Sequence, residues 1–430
     1  MRKLKTISVL ILLLCGFSPY STVYGQFFKG KKSVKPQAEK FGYHLMGTRK
    51  SVRMPFKVYS NLIVVQARID NSDTLNFILD TGVGTILITD PALADSMGLE
   101  YVREMVITGA GKDSALLARV SVRHNFKLEG VTAYQQNVVV LDKDILDLSS
   151  YMGIPIHGVF GHDFFENYVV DIDYGNLYIT VYRPERFKFR RRFGKRFPIT
   201  VTNSKPFTEV MKIEEESGKE VQLKLLLDTG AGHALFLDAS EGGIELPSKV
   251  IHANLGRGLN GEVYGSIGRI PKVKMGSIEL DDVLASFPDS TTFGDKFTAF
   301  DMDRDGSIGG DYLRRFSVLF NYQKGYMALK PIKSRFKEPF EHDMSGLEVR
   351  ADKDDLQKYY VSTVYPNSPA ALAGVIPGDE IMFVNNSSVK TLTLTKIYRI
   401  LSQKEGKEVR LICKRDGAFY LTEIVLKRVI

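Results

Sequence analysis

Two Asp-Thr-Gly triplets stand in this chain of 430 residues, Asp80-Thr81-Gly82 and Asp228-Thr229-Gly230. Each closes an apolar run, Phe77-Ile78-Leu79 in the first and Leu225-Leu226-Leu227 in the second. An acid at the end of a buried strand, followed by a hydroxyl residue and a glycine, makes a tight loop into which other backbone can come close. One carboxylate is a poor nucleophile toward an amide. Two held side by side can activate water, because like charges in contact do not both ionise easily and the pair keeps one proton. The ionised member then takes a proton from the attacking water. The protonated member hydrogen-bonds to the carbonyl oxygen, and the leaving amine is protonated in turn. Asp80 and Asp228 are therefore the catalytic candidates, with Thr81, Gly82, Thr229 and Gly230 as supports of the two loops.

The spacing from Asp80 to Asp228 recurs along the chain without gaps. It carries Gly158 to Gly306, Gly161 to Gly309, Asp163 to Asp311, Tyr174 to Tyr322 and Tyr178 to Tyr326. That is the mark of an internal duplication. The elements that must position the acids read as strands. Leu62–Ile69, Phe77–Leu79, Val138–Leu141 and Tyr168–Ile172 are short, rich in β-branched and aromatic residues, and bounded by Gly, Asp and Asn. Pro91–Gly98 reads as one short helix. Two equivalent loops meeting across a pseudo-twofold axis would bring Asp80 beside Asp228.

With these residues in view, the region from about 52 to 331 resembles the aspartic proteases of the retropepsin and pepsin class. In that family each lobe carries the triplet and then a hydrophobic-hydrophobic-Gly element. Val159-Phe160-Gly161 matches the element, and Ser307-Ile308-Gly309 matches it with Ser in the first apolar place. The resemblance implies catalysis by Asp80 and Asp228, loop support by Thr81, Gly82, Thr229 and Gly230, a polypeptide substrate and no cofactor. Many family members place a hydroxyl residue after the triplet, where this chain has Val83 and Ala231. Losing that hydrogen bond favours the protonated pair, so the expected pH optimum is less acidic than pepsin's. A flap over the cleft is also implied. Ile107–Gly111 and Leu255–Gly261 are glycine-rich candidates for its tip, and ordinary β-turns are the plainer reading of each.

The last segment, 342–430, has a different texture. Ser345-Gly-Leu-Glu-Val349, Asn367-Ser-Pro-Ala-Ala-Leu-Ala-Gly374, Pro377-Gly-Asp-Glu-Ile381 and Val384-Asn-Asn386 follow in order. Together they resemble a PDZ domain of the bacterial type. The resemblance implies that a peptide adds as a strand beside a helix near Thr393–Leu401, with its C-terminal carboxylate received near Gly346 and Leu347. The alternative is a domain used only for internal packing. The fold class expected is thus mainly β, with two pseudo-symmetric β-barrel lobes followed by an α+β PDZ domain. The divisions are a signal peptide (1–25), a flexible leader (26–51), lobe one (52–183), a basic linker (184–196), lobe two (197–331) and the PDZ-like domain (342–430).

Composition narrows the setting. Arg2, Lys3 and Lys5 precede an apolar run, Ile7–Phe17, and small residues, Val23 and Gly25, flank a cleavage position near Gln26. This reads as an export signal, with a short membrane anchor or lipid attachment at Cys15 as alternatives. The chain is otherwise without a long apolar run, so no stable span is expected in the mature protein. The formal charge of +8 includes the three N-terminal cations and does not argue for nucleic acid. Removing the signal leaves Cys413 alone, so no intramolecular disulfide is expected. A bacterial periplasm or envelope, or secretion, fits an exported protein that relies on core packing.

Other features have bland readings beside the sharp ones. Asp301–Ile308 resembles the start of a calcium loop, but Tyr312 stands where a bidentate Glu is needed. No metal site is expected. His233 could tune the acids or lie on a surface loop. The basic stretch 184–196, with alternating Phe, could be solvated linker, a processing site or an edge strand. Two functions remain from this reading: an exported endopeptidase, or a catalytically silent peptide-binding scaffold on the same fold.

Overall fold

The computed structural model describes residues 40–107, 116–215, 217–239, 244–259, 261–289 and 304–430. The signal, most of the leader, Cys15, the tip 108–111 and Asp301–Asp303 lie outside them.

Alternation makes the strands. Along Leu62–Ile69, Gln66 and Arg68 face solvent while Val65, Ala67 and Ile69 are buried. Such strands build a nine-stranded sheet in the first half and an eight-stranded sheet in the second. Each repeats the same local design around its acid. Leu75–Asp80 lies parallel to Gly158–Gly161, which runs antiparallel to Ile86–Ile88. In the second half Glu220–Leu227 lies parallel to Gly306–Ile308, which runs antiparallel to Leu235–Leu237. The short helix expected over 91–98 runs from Pro91 to Ser96, capped by the Asp90 carboxylate accepting from the Ala92 amide, and Leu148–Met152 and His162–Asn167 are two more short helices of this half.

A third sheet of six strands joins the halves. At its centre Val169–Asp173 pairs antiparallel with Phe316–Asn321, with Asp171 opposite Leu319, Ile172 opposite Val318 and Val170 opposite Phe320. The repeat offset maps Asp171 onto Leu319, Val170 onto Val318 and Ile172 onto Phe320. Asp171 therefore faces its own counterpart, and Val170 and Ile172 each face the other's, as in a contact across a twofold axis. The axis passes between Asp171 and Leu319.

Two stretches are more structured than their composition suggests. The leader expected over 26–51 already folds at Gly42–Leu45, which pairs with Val131–Tyr134, and Ser51–Pro55 joins the central sheet beside Tyr178–Tyr182. The basic linker is pinned because Phe187 and Phe193 bury against Val169, Leu319 and Ala328. Lys195–Pro198 then becomes an edge strand of the central sheet.

The connector after Pro331 is fixed too. Arg315, fully buried, donates to the carbonyls of Arg335, Glu338 and Pro339, and its guanidinium lies 3.5 Å from the Phe340 ring centre. Beyond it a separate core, including Leu347, Val349, Val361, Ile381, Leu394, Ile397 and Leu411, holds the C-terminal sheet and the helix Leu394–Leu401. Thr393 caps that helix. Cys413 is buried in this core, and burial pushes its thiol up to about 11, so it is an inert packing group. Among the described residues no helix is long and apolar enough to cross a membrane.

Candidate active site

The two threonines of the triplets cross over between halves. The Thr81 amide donates to Thr229 Oγ1 and the Thr229 amide to Thr81 Oγ1, each at 3.0 Å. Each hydroxyl then donates to the carbonyl two residues before its partner threonine, Thr81 to Leu227 at 2.5 Å and Thr229 to Leu79 at 2.8 Å. Both threonines are buried, so these four bonds satisfy groups that water cannot reach. They lock the ends of the two acid-bearing strands to each other.

That lock sets the acids face to face. A Cβ on Gly82 would lie 3.1 Å from Asp80 Oδ1 and 4.0 Å from Asp228 Oδ1, so the two carboxyls share one side of that loop. Each also accepts from its own loop glycine, Asp80 Oδ1 from the Gly82 amide at 2.6 Å and Asp228 Oδ1 from the Gly230 amide at 3.0 Å. The glycines are required by proximity. A Cβ on Gly230 would lie 2.2 Å from the Asp80 carboxyl carbon, and one on Gly161 would lie 1.5 Å from the Asp80 carbonyl oxygen. Gly161 sits opposite Asp80 in the parallel register, which accounts for the glycine that closes the hydrophobic element.

Both carboxyls are raised above the ordinary carboxylate range, first by burial. For Asp80 the neighbouring Asp228 charge adds to the rise. For Asp228 the Arg304 guanidinium opposes it, followed by the Gly230 amide and the Lys205 ammonium. The rise has the direction expected from Val83 and Ala231, but burial is its largest cause. At those two positions the backbone carbonyls are used instead: Val83 accepts from the His162 amide at 2.9 Å and Ala231 from the Gly310 amide at 2.7 Å.

Departures from the repeat are as informative as the matches. Thr85 and Val159 in the first half correspond to His233 and Ser307 in the second. His233 Nε2 lies 3.0 Å from Ser307 Oγ, so the polar residue in an apolar position has its partner beside it. Burial, with Arg304 adding, lowers His233 to about 4, and the ring is neutral at physiological pH. Ile156, buried beside Ile78 and Val159, corresponds to Arg304. Arg304 lines the same cavity as Asp228, Gly230 and Ser307. Sequence reasoning missed Arg304, Lys205 and the His233–Ser307 pair. Reading the offset for substitutions as well as identities is the signal that would have found Arg304 and the pair.

The cavity has a volume of about 620 Å³. One wall is the hairpin Val250–Gly258 and Gly261–Met275. Its Leu259 packs on the first half against the apolar cluster of Leu87, Ala118, Val120, Val139 and Leu141, so the hairpin reaches across to that half. This is the second of the two flap candidates; the first falls at 108–111, outside the described residues. The calcium-loop candidate is described only from Arg304. There Asp305 Oδ2 accepts from the Lys224 amide at 2.7 Å, which ties that carboxylate into the sheet. In the C-terminal domain the Gly346 amide donates to Asp343 Oδ2 and the Leu347 amide to Ser345 Oγ.

Two family profiles match this chain. The one described as "Aspartyl protease" matches residues 65–164, and the one described as "PDZ domain" matches residues 360–415. The chain thus carries an aspartyl protease domain, which includes the first triplet and Gly161, and a PDZ domain. Among curated proteins it is similar to the carboxy-terminal processing protease CtpA of Bacillus subtilis (strain 168), 29% identical over 115 residues. That match covers 27% of this chain and 24% of the relative. Among solved structures it is similar to a photosystem II D1 C-terminal processing protease at 25% identity, over 20% of this chain and 24% of that one. The TM-score is 0.19, which carries no argument about the fold. The chain spans about a quarter of the length of these relatives.

Proposed function

We propose that this protein is an exported aspartic endopeptidase of the bacterial periplasm or envelope, hydrolysing polypeptides with water activated between Asp80 and Asp228. The observation that carries the reading is the reciprocal Thr81–Thr229 lock, with the Asp80 carboxyl set directly against Gly230 of the Asp228 loop. Asp228, beside Arg304, is the ionised member and takes the proton from water. Asp80 holds the shared proton and donates to the carbonyl oxygen of the scissile bond. Attack gives a tetrahedral diol; its collapse passes a proton to the leaving amine and restores the pair. The substrate backbone lies in the cavity under the hairpin that carries Leu259. Export is supported by the basic and apolar N-terminus alone.

The test is cleavage of casein and of a peptide library, from about pH 3 to about pH 8, by the wild type, Asp80→Asn and Asp228→Asn, with pepstatin as a probe. Each variant should lose at least about a hundredfold in rate, the scale of one acid–base group. Activity that survives either substitution rejects the assignment. Peptide binding with no turnover at any pH would instead favour the silent scaffold.

A further inference from the structure

In the PDZ domain the edge strand Leu347–Ala351 lies beside the helix Leu394–Leu401, the place where this kind of domain takes a peptide into a groove. A peptide entering it would add as one more strand, and its terminal carboxylate would seek the amides at the head of that strand. Here both sets of partners are already supplied from within. The Tyr398 hydroxyl accepts from the Val349 amide at 2.8 Å and donates to the Val349 carbonyl at 3.0 Å. One hydroxyl thus satisfies a donor and an acceptor on the open edge. Burial pushes it up to about 12, so it stays neutral and serves in both roles. At the head of the strand the Asp343 carboxylate accepts from the amides of Ser345 at 3.1 Å and Gly346 at 2.5 Å, and from the Ser345 hydroxyl at 2.7 Å. A carboxylate bonding amides two and three residues on is a common local turn. The Tyr398 bridge is not local, since it joins residues 49 apart.

The first half of the chain then covers the groove from outside. The Arg350 guanidinium lies 3.3 Å from the Tyr151 ring centre, and the Ser60 amide donates to Thr395 Oγ1 at 3.2 Å. Gly153 comes so close that a Cβ there would lie 3.1 Å from Leu394 Cβ. The same contacts continue to the hairpin over the cleft. The Tyr151 hydroxyl donates to Glu262 at 3.2 Å, and the Tyr365 hydroxyl accepts from the Asn254 amide at 3.1 Å while donating to Glu348. Glu341 and His342, where the domain begins, line the same cavity as Asp228.

We propose that the PDZ groove is a gate held shut by the chain itself, with Tyr398 standing in for a ligand's backbone and Asp343 for its terminal carboxylate. The ligand that opens it is an extended peptide with a free C-terminal carboxylate. Binding displaces Tyr398, loosens the Arg350–Tyr151 contact and frees the hairpin, which raises turnover. Closure of the groove stands apart from the catalytic reading; the effect on turnover rests on it.

The test uses the full chain in an Asp228→Asn background, so that the probe is not digested. The probe is a fluorescein-labelled pool of randomised decapeptides with free C-termini, and the control is the same pool amidated. Anisotropy should show the free-acid pool binding at least about tenfold more tightly once Tyr398→Phe is added, because the binding-competent fraction rises. Adding Asp343→Asn should increase the gain, and the amidated pool should show none. Hydrogen exchange gives a readout that needs no ligand: the Val349 amide should exchange at least about tenfold faster in Tyr398→Phe. In the otherwise wild-type chain the free-acid pool should speed cleavage of a separate reporter peptide. Equal affinity with and without Tyr398→Phe, or an equal gain for the amidated pool, overturns the gate. Gated binding with no change in cleavage of a reporter that is turned over overturns only the coupling. A chain that binds as described but cleaves nothing rejects the catalytic reading and leaves the gate standing.

Discussion

In a fully symmetric pair of acids the shared proton would have no preferred owner. Here the repeat places Ile156 on one side and Arg304 on the other, and the Arg304 charge is the largest influence lowering Asp228. Lys205 acts on both acids, His233 is neutral, and Asp238 shares the Arg304 charge. Replacing Arg304 by Gln removes the largest influence that lowers Asp228. The acid limb of the kcat/KM profile should move to higher pH, and Arg304→Lys should restore it. An unmoved limb would show that Arg304 serves only the packing. Linkage supplies a second test. Both carboxyls are raised in the folded state, so their contribution to stability is full below the ordinary carboxylate pKa and is lost as pH rises through the folded value. Asp80→Asn should therefore raise the melting temperature at neutral pH, with the gain shrinking toward acid pH. A variant that melts lower at pH 7 would count against the buried pair.

At the level of elements, the lock between triplets does the positioning. Thr229→Val would strand the Thr81 amide and the Leu79 carbonyl, both buried. Each stranded group costs about 1–3 kcal/mol. The melting temperature and kcat should fall together, whereas Thr229→Ser, which keeps the hydroxyl, should hold both. Gly161→Ala puts a carbon onto the Asp80 carbonyl and should part the parallel strands, to be seen as loss of the folded transition. Much of this was legible beforehand, because the offset between triplets is a property of the chain, and the offset reappears as bonds between Thr81 and Thr229. The PDZ order of motifs was legible for the same reason: its turns are local. What was hidden was non-local. Nothing in the composition of 184–196 marks Phe187 and Phe193 as anchors, since they bury against strands from both halves. Nothing near Tyr398 announces that its hydroxyl closes the edge at Val349.

For the whole molecule, the twofold contact at Asp171 and Leu319 is made within one chain, so both acids come from a single polypeptide. Specific activity should then be independent of enzyme concentration down to the nanomolar range, unlike that of an enzyme assembled from two chains. A rate that falls with the square of dilution would mean that a second copy completes the site. The most direct measurement is carboxyl ¹³C NMR titration of aspartate-labelled enzyme, with Asp80→Asn and Asp228→Asn used for assignment. The account predicts two coupled steps, with Asp228 ionising first and Asp80 holding its proton well above the ordinary carboxylate range. Two independent titrations near the unperturbed value of about 3.9 would contradict it.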